Sequence, residues 1–110
     1  MKEITEKRMT DALNYLADTD EPCAKAKSLM EGKKEQKKSI LAIQFLESEG
    51  TGQERDATAH SSNDFKYWRD SYKSSVLDYE TMRNRRTTAT LLVEAWRSLN
   101  SNRRQAGGNL

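Results

Sequence analysis

The sequence predicts an all-α fold: a long antiparallel helical hairpin, coiled-coil-like, with a short N-terminal helix packing at its base. The first observation behind this is an apolar stripe of Phe65, Trp68, Tyr72, Val76, Tyr79, Met82, Ala89, Val93 and Trp96. Its steps of three and four follow one side of a helix, no proline or glycine falls within 65–96, and only Arg86 interrupts it. The second is composition. Hydrophobic residues make up 35% and charged residues 33% of the 110-residue chain, against a usual ~45–50% (glycine included) and ~25%. With a net charge of only +2 and the apolar residues patterned, these proportions suit long two-sided helices rather than disorder. Third, a helix cannot cover such a stripe by itself in water, so the face must lie against a second helix, a second copy or a partner.

The first helix is expected over about 5–18, with Thr5 capping its amino end and Met9, Leu13 and Leu16 forming a short stripe. Asp18-Thr19-Asp20-Glu21-Pro22 reads as a restart, because proline is tolerated in a first helical turn. A second helix over about 22–49 carries Ala26, Leu29 and Met30 near its start and Ile40, Leu41, Ile43, Phe45 and Leu46 near its end. Between them Glu31 to Ser39 lacks any large apolar residue and contains Gly32, which costs about 1 kcal/mol relative to alanine.

Gly50 suits a left-handed helix end, and Thr51-Gly52-Gln53-Glu54 matches a capping box opening a short helix over about 52–60. Ser61-Ser62-Asn63 then forms a loop and cap for the long helix over about 64–100. Residues 1–104 form one domain, with a flexible tail over 105–110. A turn near residue 57 would set Ile43 and Leu46 beside Phe65, Trp68 and Tyr72. The lysine-rich stretch would then lie level with Tyr79 to Arg86, and Ala26 and Leu29 near Ala89 and Val93, with the first helix covering the remaining apolar base.

Cys23 is the only cysteine, which excludes an intrachain disulfide and a multi-cysteine zinc site. His60 is the only histidine, so neither a histidine metal site nor a Cys–His pair is indicated. No glycine-rich phosphate loop occurs, and neither an enzyme nor a cofactor is expected. Met1 to Arg8 lacks the apolar core of a secretory signal, and no apolar run is long enough for a membrane span. A cytoplasmic, membrane-free protein is the expectation.

Three constellations carry functional alternatives. Lys33, Lys34, Lys37 and Lys38 with Arg83, Arg85 and Arg86 would form a phosphate-binding belt at the waist of the hairpin. The bland reading of the same residues is a solvated face laced by i,i+4 pairs with neighbouring glutamates. Arg86, at a seam position, needs a carboxylate, and Glu31 and Glu35 are the intrachain candidates. Phe65, Trp68, Tyr72 and Val76 are either hairpin core or the anchor of an oligomer or partner interface.

Leu77-Asp78-Tyr79-Glu80-Thr81-Met82-Arg83 and the run from Val93 to Arg104 resemble small uncharacterised helical proteins of tailed bacteriophages and prophages. The resemblance implies a small accessory product of the host bacterial cytoplasm, near replication or recombination functions, and supplies no active residues. The resulting expectation is a non-enzymatic protein-interaction or self-assembly module that binds itself and another protein. The alternative is a nucleic-acid-binding accessory protein acting through the waist.

Overall fold

A computed structural model describes residues 3–108. Three helices follow one another: α1 (Glu6–Glu47), α2 (Gly52–Ser61) and α3 (Asn63–Gly108). No strand occurs among the described residues. The described chain divides into two compact units, one built from the residues up to 23 and from 81 onward and the other from residues 24–80. In both, a segment of α1 runs antiparallel to a segment of α3, as the hairpin requires.

The restart at Asp18–Pro22 does not occur, and the expected 5–18 and 22–49 helices are one element. Pro22 sits inside α1, where it deprives the Asp18 carbonyl of its helical donor. Side chains brace this turn: Thr19 Oγ1 donates to the Tyr15 carbonyl at 2.6 Å, and Arg86 reaches across from α3 to the Leu16 carbonyl at 2.7 Å. The tertiary bond from Arg86, with the local one from Thr19, favours continuation over the local stop signal. The N-terminal segment is therefore the first part of α1 and no separate helix at a three-helix base. Its core is Ala12 against Ala89 and Val93, with Met9, Tyr15, Leu16 and Leu92 packed around them. Leu13 is exposed.

α1 ends two residues earlier than expected. Ser48 turns its hydroxyl back to the Phe45 carbonyl at 2.8 Å, and Gly50 takes φ +113°, which an L side chain rarely adopts. Thr51 caps α2 through its hydroxyl, which accepts from the Glu54 amide at 3.2 Å. Ser62 alone separates α2 from α3, and its hydroxyl accepts from the Phe65 amide at 3.2 Å. α3 continues through Gly108, past the expected end at 100 and into the expected tail. Arg103 stacks over the Trp96 ring at 5.9 Å and holds this last stretch to its own helix. Residues 109 and 110 lie outside the described residues.

The pairing register also differs from the turn at residue 57. Gln44 Nε2 donates to Asp64 at 2.9 Å, and Lys33 Nζ bonds the Ser71 hydroxyl. Lys33 therefore faces a residue about ten positions earlier in α3 than expected. The cause is α2, which folds back onto the end of α1. Arg55 Nε donates to the Ser48 carbonyl at 2.9 Å while its guanidinium lies over Phe45, and the His60 ring meets Phe65 edge-on at 5.3 Å. α3 thus begins level with Gln44 rather than beyond the end of α1.

Gly32 is exposed inside α1, and a Cβ there would meet nothing within 4 Å. Gly32→Ala is accordingly expected to raise stability by about 0.4–1 kcal/mol. Thermal denaturation followed by circular dichroism checks this, and a lowered melting temperature would show that residue 32 is not in regular helix.

Candidate interaction site

The stripe of α3 faces inward along its whole length. Trp68, Ala89 and Val93 are buried, and Phe65, Tyr72, Val76, Tyr79, Met82, Arg86 and Trp96 are half-buried. Trp68 is only 7% exposed. Its indole stacks on Tyr72 at 5.4 Å with 7° between the planes, Phe65 lies at 5.6 Å, and Nε1 donates to the Lys33 carbonyl at 2.7 Å. Of the four aromatic and aliphatic residues expected at an interface, Trp68 is therefore occupied within its own unit. Phe65, Tyr72 and Val76 keep only part of their surface.

The basic belt is not assembled as expected. Lys33 pairs with Ser71 and Trp68, so the lysine stretch lies beside the first turns of α3 and not beside Arg83–Arg86. Lys34, Lys37 and Lys38 are exposed on α1. Arg86 does find a structural partner, but not Glu31 or Glu35. One terminal nitrogen donates to the Leu16 carbonyl and the Thr19 hydroxyl, each at 2.7 Å, and the other bonds the Asp20 carboxylate. The register shift explains the exchange of partners. Arg83 and Arg85 are exposed neighbours of this clamp.

The surface left open in the 24–80 unit lies on the flank of the seam. Leu29, Lys33, Gln36, Ile40 and Ile43 line one wall of a groove, spaced 4-3-4-3 along α1. Asp64, Tyr67, Ser71, Ser74 and Asp78 line the other, spaced 3-4-3-4 along α3. The part of this groove around Ile40, Ile43 and Trp68 encloses about 290 Å³. A second part, around Leu29 and Ser75, continues from it through Lys33, Tyr67 and Ser71. Tyr67 is 79% exposed, Leu29 55% and Ile43 52%. Tyr67 and the two flanking stripes were legible only as a weaker second periodicity beside the aromatic seam. Polar residues at Lys33, Gln36 and Asp64 mask that signal.

Cys23 is a free, half-buried thiol in the middle of α1. His60 lies in the last turn of α2, with Nδ1 2.9 Å from the Asp56 carbonyl. Among the described residues no group of three or more His, Cys, Asp or Glu is placed to hold a metal ion. No described helix is long and apolar enough to cross a membrane. No family model, curated protein sequence or solved structure matches the chain.

Proposed function

We propose that this chain is a non-enzymatic helical interaction module whose apolar flanks are covered by helices of another polypeptide. One observation carries the reading. Among the described residues the buried apolar ones are three alanines, one valine and one tryptophan, while Leu13, Leu29, Ile43, Leu46, Tyr67, Leu77, Leu91 and Leu99 are exposed. Paired helices with alanines between them approach closely but hide little area, and extensive exposed apolar surface on a water-soluble chain marks a contact site. The likeness of the Leu77–Arg83 and Val93–Arg104 stretches to phage and prophage proteins supplies the setting: an accessory protein of the host bacterial cytoplasm.

The test is capture in a bacterial cell, by mild cross-linking and purification of the tagged full chain. A protein chain, its own or foreign, should be retained by the unmodified sequence and lost in Tyr67→Glu. If nothing is retained by either, the reading fails. If the retained material is nucleic acid, released by a modest rise in salt, the exposed lysines of α1 act on phosphates instead.

A further inference from the structure

We propose that the groove of the 24–80 unit docks a second copy of this chain, α1 of one copy lying along α3 of the other. This rests on reading the chain as an interaction module, and it names the partner. The spacing of the walls gives the shape of the occupant. Both follow the alternating three and four steps of a helix that meets another helix along its length. The groove therefore fits a helix, and each wall is itself a helix stripe of the kind the other receives.

Charge decides which helices meet. The α1 side of the groove carries Lys33, with Lys25 on the α1 surface that continues from it, and the α3 side carries Asp64, Asp70 and Asp78, of which Asp70 also pairs with Arg69 on its own helix. Laying α1 on α1 would oppose lysines, and α3 on α3 would oppose aspartates. Only the crossed arrangement joins unlike rims, and a two-fold axis makes each such contact twice. The axis that places α1 on α3 runs parallel to the helices, so each residue keeps the level it has in its own copy. Lys33 then approaches Asp70 of the other copy, Lys25 approaches its Asp78, and Ile43 and Leu29 close over the Tyr67 and serine wall. Ser71 and Ser74 leave room for that approach.

The experiment is sedimentation equilibrium of the full chain, with circular dichroism to confirm that each variant is folded. The unmodified chain should be a dimer at micromolar concentration, and Tyr67→Glu, altering a side chain that its own copy leaves exposed, a helical monomer. Lys25→Asp and Asp78→Lys should each weaken the dimer by about tenfold or more, and an equimolar mixture of the two should regain it. A chain that stays monomeric at all concentrations overturns the proposal, as does a dimer indifferent to Tyr67→Glu, or two weakened variants that do not rescue each other. A monomer that still captures a foreign protein through Tyr67 would overturn self-docking while leaving the interaction-module reading in place.

Discussion

Trp68→Ala is expected to lower stability by about 3–5 kcal/mol, the range for removing a large aromatic side chain from a packed site. Among the described residues, Trp68 is the only large aromatic side chain at a buried apolar position. Its ring is held between Phe65 and Tyr72, and its N–H reaches the Lys33 carbonyl of the opposite helix. Truncation opens a cavity between α1 and α3 and removes the bond that fixes their level. Trp68→Phe separates these effects. It keeps most of the ring contact and loses the hydrogen bond, so its packing loss is smaller and the bond adds about 1 kcal/mol. Urea denaturation at one fixed protein concentration measures both, since assembly shifts apparent stability. A loss below about 1 kcal/mol in Trp68→Ala would mean that the indole is not buried in this unit.

Arg86→Ala should cost about 2–3 kcal/mol. Hydrogen bonds to a charged group are worth about 1.5–3 kcal/mol, and this guanidinium makes bonds to a carbonyl, a hydroxyl and a carboxylate within little more than one turn of α1. The Asp20 contact contributes the smaller part, because its carboxylate is largely exposed and such pairs are worth under about 1 kcal/mol. Asp20→Ala is therefore expected to be mild. Arg86→Lys should recover little, since one ammonium cannot fork to acceptors spread along a helix. Hydrogen exchange adds a local readout. Without Arg86 the amides around Pro22 should exchange faster, because that turn loses the side chain that braces its carbonyls. Unchanged exchange there would remove Arg86 from the explanation of why α1 continues through a proline.

The inward face of α3 was readable because large side chains repeat over more than eight turns with one interruption. The corresponding face of the N-terminal part of α1 was not. Met9, Leu13 and Leu16 form the stripe that hydrophobicity suggests, but Ala12 is buried and Leu13 exposed. Close helix approach selects the small residue for the seam and sends the larger one to the surface. The stop at Pro22 and the partners of Arg86 failed together, because both depend on which α1 residues stand opposite Arg86. That pairing is set by α2, whose fold-back through Arg55 onto Ser48 and Phe45 moves α3 by about ten residues relative to α1. Local pattern shows that a short helix exists at about 52–60, and its cap was legible at Thr51, but not the direction in which it returns the chain. The candidate surface inherited the same error. Size marks Trp68 in the sequence, whereas its neighbour Tyr67 is the aromatic side chain exposed in the open groove.

The groove and the Trp68 bond both require Lys33 to lie level with Ser71, and one measurement tests that directly. In a Cys23→Ser background, cysteines are placed at Lys33 and Ser71 in one variant and at Lys33 and Thr81 in another. Each is treated with a short bis-maleimide and digested for mass spectrometry, in dilute protein to separate intrachain from interchain links. The register described here predicts an intrachain link from 33 to 71 and little from 33 to 81, which lies about 15 Å further along the helix. Linking of 33 to 81 in preference to 71 would contradict the pairing and dissolve the groove built on it.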